Sequence, residues 1–359
     1  MPTIDRAAIT RELAGASGPS VSVVCPLDHL SPGNPVDEQV LTELRDAAVV
    51  RLEAYSDDRG STDRIVHNLD AAFGAVDRGH GHRAVALFAG TDITRVVPLE
   101  VNVEPRTVVG ERFALAELVT DNAREVHARV LVLSLAKTRC IDVTRRVACE
   151  RHDAGFPIEV EAPTREETPH RDFTLDEHEH QEAARYVLRA VDASLKKVHE
   201  ADPRPIVLMG AERDLSYWDE VSTTPATVIG RVHGNYERAG LSEIVTRVTP
   251  AFESRRRELE HAAARDAGEK LTKGAVCGIA DVWAAARDGR GYRLVIEAGY
   301  HFNGRLESDQ VTPAAADAPA SFDAVDDAVR EQVRHGGEVV VVDNEVLAGY
   351  GRIAMVLRY

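Results

Sequence analysis

The chain has 359 residues, 44% of them hydrophobic and 28% charged, and a formal net charge of −16. That length exceeds one ordinary core and points to two or three domains of a soluble globular protein. The negative charge argues against non-specific affinity for nucleic acid, which needs a basic surface. No apolar run approaches the roughly 18 to 20 residues of a membrane helix, and the opening MPTIDRAAITREL has no secretory apolar core, so a cytoplasmic protein is expected. Cys25, Cys140, Cys149 and Cys277 include no CxxC pair and signal neither a disulfide framework nor a zinc site.

In chain order, the first part, to about residue 125, opens with an apolar strand, Val21 to Val24, and the loop PLDHLSPGNP. Val40, Leu41, Leu44, Ala48 and Leu52 then stand at helical spacing, predicting a helix from about Asp37 to Ala54. A second helix near Thr62 to Val76 precedes the strands RAVALFAG and ITRVVPLE. Alternating strands and helices predict an α/β layered domain, and no phosphate-loop or dinucleotide glycine pattern follows any of the strands.

In the second part, ARVLVLSLAKTRCIDVTRRVACE predicts an antiparallel meander, and RHDAGFPIEVEAPTREETPHRDF lacks periodicity and is read as loop. Thr174-Leu-Asp-Glu177 has the form of a capping box. Behind it Ala184, Val187, Leu188, Val191, Leu195 and Val198 form one stripe, so Asp176 to His199 is a helix packed on a sheet. RPIVLMG reads as a buried strand and RDLSYWDEV as a short helix. The third part begins with a charged helix, about Ala251 to Ala267, that acts as a connector. Val276, Ile279, Trp283 and Ala286 recur at helical spacing before the strand YRLVIEAG. An Ala/Pro-rich loop, TPAAADAPA, leads to a helix from Ser321 carrying Phe322, Val325, Val329 and Val333 on one face and ending at Gly336. EVVVVD and RIAMVLR are the last strands, the final one entered through GYG.

Motifs with chemistry are scarce: no GxSxG, HExxH, Walker or Rossmann pattern occurs. In Asp176-Glu-His-Glu-His180 the two histidines are two apart and do not share a helix face, and acids in a first turn suit the helix dipole. His80 and His82 sit in a glycine-rich turn, and Tyr217-Trp218 is either a stacking platform or a core anchor. Neither a metal nor a cofactor is expected. The stretch Arg129 to Arg151 sets six basic residues (129, 137, 139, 145, 146 and 151) against Asp142 and Glu150. This is either a local RNA contact or the solvated face of a hairpin.

The third part resembles the C-terminal domain of the archaeal and eukaryotic class-one peptide-chain release factors and their relative Pelota. The matching stretches are VCGIADVWAAARDGRGYRLVIEAG, a helix, a glycine-containing turn and a strand, and the closing GYGRIAMVLRY with its Leu-Arg-Tyr ending. The middle part is similar as well, in its meander, loop, long helix and PIVLMGAERDL. The first part does not look like the decoding domain of those factors, and the whole organisation resembles bacterial members with a different N-terminal domain. The resemblance implies three α/β domains: residues 1–125 of family-specific type, 126–250 an RNase-H-like middle domain, and 251–359 a connector helix and an α/β/α sandwich. Release factors hydrolyse peptidyl-tRNA through a Gly-Gly-Gln loop between meander and long helix. Here VEAPTREETPHRDF stands in that place, with no glutamine before Gln181, so the activity is not carried over.

The resemblance instead implies a ribosome-associated factor of rescue or hibernation type, with a stress-response role and a translational GTPase such as elongation factor Tu as partner, and neither DNA nor membrane. Arg139, Arg145, Arg146, Arg165 and Arg171 are the candidate contacts to ribosomal RNA phosphates. Two other classes stay open. One is an enzyme of unknown substrate gathering His152, His170, Glu177 and His178. The other is a protein-interaction scaffold that never meets RNA, which the charge of −16 favours.

Overall fold

The computed structural model describes residues 5–79, 81–144, 147–159, 173–315 and 321–358, the side chains of 173–180 excepted. Residues 1–124 and 259–359 form one compact unit and residues 125–258 another.

The discontinuous unit begins with α1 (Arg6–Gly15), β1 (Ser20–Pro26), α2 (Pro35–Tyr55), α3 (Arg59–Gly74), β2 (Ala84–Gly90), β3 (Thr94–Leu99), β4 (Arg106–Gly110) and α4 (Ala116–Ala123). Asn34 caps α2 by accepting from the N–H groups of Val36 and Asp37, with Pro35 in the first turn. Asp58 does the same for α3, which starts three residues before the expected Thr62. The strands form an antiparallel sheet in the order β3-β2-β1-β4. Because side chains alternate along β1, Val21, Val23 and Cys25 face α2 and α3 while Val24 faces a second core.

The continuous unit carries β5 (His127–Val132), β6 (Lys137–Thr144), β7 (Ala148–Glu150), β8 (Ile158–Glu159), α5 (Phe173–Ala201), β9 (Ile206–Gly210), α6 (Glu212–Val221), β10 (Val228–His233) and α7 (Leu241–Lys270) up to Glu258. Its sheet runs β10-β9-β5-β6-β7, with β8 beside β6. β5, β6 and β7 are the expected antiparallel meander, whereas β9 joins β5 in parallel and β10 joins β9 in parallel. Leu188, Val191 and Leu195 of α5 cover one face against Leu131 and Leu208. Ile244, Val248 and Phe252 of α7 cover the other against Val130 and Val207.

After α7 the discontinuous unit resumes with β11 (Ala275–Cys277), α8 (Ile279–Arg287), β12 (Gly291–Glu297), β13 (Asn303–Glu307), β14 (Gln310–Pro313), β15 (Phe322–Asp323), α9 (Ala324–Arg334), β16 (Glu338–Val342) and β17 (Ile353–Leu357). The order β11-β17-β12-β16 places the closing strand inside its sheet, antiparallel to both neighbours. α8 and α9 bury Val282, Val325 and Val329 in a core that also holds Leu294 and Met355. The end of α7 lays Ala263, Ala264 and Ala267 over Val295, Ala354 and Val356 on the other face. The first of these cores continues into Leu13, Phe88 and Leu118, so residues 1–124 and 259–359 bury apolar surface in common.

Four expectations need correction. Val276 belongs to β11, and α8 starts only after Gly278, whose φ of +79° turns the chain. Phe322 belongs to β15, because Asp323 accepts from the N–H groups of Val325 and Asp326 and so starts α9 after it. α7 begins ten residues before the expected Ala251 and continues through Pro250. Part of the Ala/Pro-rich stretch is strand, Thr312 and Pro313 closing the β13–β14 hairpin, while residues 316–320 lie outside the described residues.

Candidate functional site

The meander of the continuous unit is built on charged residues that the fold pairs internally. Alternation along β6 sends Ile141 and Val143 to the α7 side and Cys140 to the α5 side. Arg139, 8% exposed, grips Glu150 of β7 with two nitrogens at 3.0 and 2.7 Å and donates to the carbonyl of Ala239 at 2.7 Å. Fully buried Arg129 donates to Asp142 at 2.8 Å, and Arg151 donates to the second oxygen of the same carboxylate at 2.6 Å. Lys137 pairs with Glu159 at 2.6 Å. The hydrogen bonds from Arg139 hold the Glu150 carboxyl below its ordinary range. Burial alone would raise Asp142, yet Arg129 and Arg151 carry it below its ordinary value. Burial pushes the Cys140 thiol up to about 12, which leaves it protonated and inert at neutral pH.

The open ground lies at the C-terminal ends of the parallel strands, where α/β sheets hold their ligands. β10 ends at His233, and Asn235, Glu237, Arg238 and Glu243 then line an open cavity of about 570 Å³. The Ser134 hydroxyl, just past β5, donates to Glu237 at 2.9 Å. Asp214, in the first turn of α6 after β9, is raised by burial. The arrangement offers hydrogen-bond acceptors and one guanidinium, suited to binding polar groups.

The sequence-derived residues divide sharply. Arg139 is committed to Glu150 and Ala239, and Arg145, Arg146, Arg165 and Arg171 lie outside the described residues. His152 is exposed; His170 is outside the described residues, and the side chains of Glu177 and His178 are not described. His82 contacts Glu100 at 2.9 Å, and His80 lies outside the description. Trp218 is core, 2% exposed, while Tyr217 lies under the guanidinium of Arg185 at 5.7 Å. Ser134, Glu237 and Arg238 were missed because they depend on β10, whose half-exposed VIGRVH carries a glycine at its third position and reads weakly as a strand.

The chain matches the model of bacterial archaeo-eukaryotic release factor family 3 over residues 129–290, from β5 to the turn before β12. No curated protein matches it. Among solved structures it is similar to an archaeal translation termination factor, aRF1, at 15% identity over 99% of this chain and 97% of that one, with a TM-score of 0.26. It is also similar to a ribosome-bound archaeal Pelota at 14% identity, 76% and 73% coverage and a TM-score of 0.43. The S. cerevisiae translation termination-like factor Dom34 gives 15%, 76% and 75%, and 0.39. Over the segment 129–290, which holds the meander, α5, the parallel strands and α8, the chain is similar to bacterial archaeo-eukaryotic release factor family 3.

Proposed function

We propose that this protein is a ribosome-associated translation factor of rescue or hibernation type that does not hydrolyse peptidyl-tRNA. The observation that carries the reading is the family match over residues 129–290, combined with a sequence between β7 and α5 that contains no Gly-Gly pair and no glutamine. Without that motif the backbone and side-chain amides that would orient an attacking water are missing, and binding remains. Arg145, Arg146, Arg165 and Arg171 are the proposed phosphate contacts. Arg139, saturated by Glu150 and Ala239, is proposed to brace the meander rather than to contact phosphate. A translational GTPase such as elongation factor Tu is the proposed protein partner, in the cytoplasm.

Co-sedimentation with bacterial ribosomes at low and moderate salt tests this. The protein is expected to pellet with ribosomes, and charge reversal of Arg145 and Arg146 together is expected to release it at moderate salt. Protein that stays in the supernatant under all conditions, with the GTPase present, overturns the reading.

A further inference from the structure

The outer face of α5 in the continuous unit carries side chains that the fold does not use. Ala184, Val187, Leu188, Val191, Leu195 and Val198 turn inward and bury the helix on the sheet. The opposite side presents Tyr186, Arg189, Ala193 and Lys197, each one helical turn after the last, with Ala190 and Lys196 beside them. All six are exposed. Tyr186, at 75%, is more exposed than any other tyrosine, phenylalanine or tryptophan among the described residues.

Arg129, Arg139, Arg151, Arg185, Arg204 and Arg231 of the same unit each pair with a carboxylate. Arg189, Lys196 and Lys197 make no ion pair and no hydrogen bond among the described residues. The acids of this face stand at its two ends. Glu182 is engaged by Arg185 at 2.9 Å, and Glu200, one turn beyond Lys196, pairs with neither lysine. Attraction of cations to the negative end of a helix is confined to its last turn, which begins at Val198 and so does not account for Arg189. Three unengaged cations and a bare aromatic ring thus share one exposed strip, with Ala190 and Ala193 leaving it flat between them.

We infer that this face binds single-stranded RNA, whose phosphates lie along Arg189, Lys196 and Lys197 while an unpaired base stacks on the ring of Tyr186. A duplex keeps its base faces closed, so an exposed ring selects a strand whose bases are splayed out. Because the net charge of −16 opposes any polyanion, the affinity comes from this local strip and falls steeply with salt. The choice of RNA over DNA rests on the proposed function, whereas the surface itself does not, and none of its residues is among the arginines proposed there to meet ribosomal phosphates.

Fluorescence anisotropy of a labelled oligouridine of about ten nucleotides, titrated with the full-length protein without ribosomes, reads this binding directly. A dissociation constant on the order of 10 µM is expected at low salt. K196E/K197E is expected to weaken binding at least about tenfold and to reduce the salt slope by roughly one to two. Tyr186→Ala is expected to weaken it about tenfold while Tyr186→Phe, which keeps the ring, binds as the parent does. R247E/R257E makes the same change of net charge at exposed positions of α7, on the other side of the sheet, and is expected to leave binding unchanged. Circular dichroism shows that each variant folds, and on the unaltered protein a 4-thiouridine oligonucleotide is expected to photo-crosslink to α5. Absence of oligouridine binding overturns the inference, as do crosslinks only outside α5 and an equal loss in R247E/R257E. Binding of oligothymidine alone, or displacement of the RNA by oligoglutamate as efficiently as by unlabelled oligouridine, assigns the face to another occupant and also overturns it. With no ribosome present, failure here is distinct from failure of the co-sedimentation expected above.

Discussion

The carboxylate of Asp326, in the first turn of α9, accepts hydrogen bonds from the backbone N–H of Leu115 at 2.6 Å and of Ala116 at 2.9 Å. An acid 210 positions further along the chain thus caps the start of α4, within the discontinuous unit. Around it Arg106 bridges Glu117 at 3.0 Å and Asp323 at 2.8 Å.

The Asp326 carboxyl is pushed from its ordinary 3.8 to about 7, by burial first and then by Asp323 and Glu117, against the pull of Arg106 and the two N–H groups. An acid with a raised value contributes stability that is complete below 3.8 and is lost as pH rises through about 7. Asp326→Asn keeps an oxygen to accept both N–H bonds and removes the charge. At pH 8 the variant is expected to be more stable by on the order of 2 kcal/mol, with a flatter dependence between pH 5 and 8. Fluorescence of Trp283 in a Trp218→Phe background follows this unit alone; a variant less stable at pH 8 than its parent contradicts the account.

The continuous unit is expected to respond to acid in the opposite sense. Glu150 and Asp142 are lowered from 4.5 and 3.8, so their contribution is present above those values and fades as pH falls through the lower folded values. Arg139→Met is expected to cost about 1–3 kcal/mol by leaving Glu150 without its two bonds, and adding Glu150→Gln is expected to restore part of the loss. Trp218 fluorescence in a Trp283→Phe background reports it.

The two glycines of GYG are expected to behave differently. Gly351 has a φ of +67°, and a Cβ there would stand 3.3 Å from the Cα of Gly278, so Gly351→Ala is expected to cost about 1–2 kcal/mol. Gly349 has open space and no such φ, and Gly349→Ala is expected to change stability by about 0.5 kcal/mol or less. Chemical denaturation of both variants side by side makes the comparison.

A Cβ on Gly230 would lie 2.4 Å from that of Ala251, because β10 and α7 touch there. Gly230→Ala is expected to destabilise the unit by about 1–3 kcal/mol, and Ala251→Gly in the same chain is expected to recover some of it. A cost that Ala251→Gly leaves untouched places the strain elsewhere.

Strong periodicity made most elements legible. The stripe from Ala184 to Val198 gave α5, the runs around Val130 and Ile141 gave the meander, and the apolar RIAMVLR gave an inner strand. What escaped had physical reasons. β10 is an exposed edge whose pattern is broken by Gly230, and Pro250 masked the first ten residues of α7 although packing of Ile244 and Val248 before it and Phe252 after it holds the helix on both sides. The site was less legible than the fold. The excess of basic residues between Arg129 and Arg151 is visible in sequence, but which of them are neutralised depends on strand register: Asp142 opposite Arg129, and Glu150 beside Arg139. Nothing local signals that Ser134 meets Glu237, 103 positions away.

The split composition of the discontinuous unit sets an order on its folding. Phe88 and Leu118 share a core with Val325, Val329 and Met355, so during synthesis the first 124 residues leave the exit tunnel with that apolar side uncovered while residues 125–258 are made. The continuous unit, complete in one stretch, is free to fold in the interval. Closure of the N-terminal half waits for contacts more than 130 residues apart, which makes it the slow, entropy-limited step and exposes it to capture by chaperones until α9 and the sheet around β12 arrive.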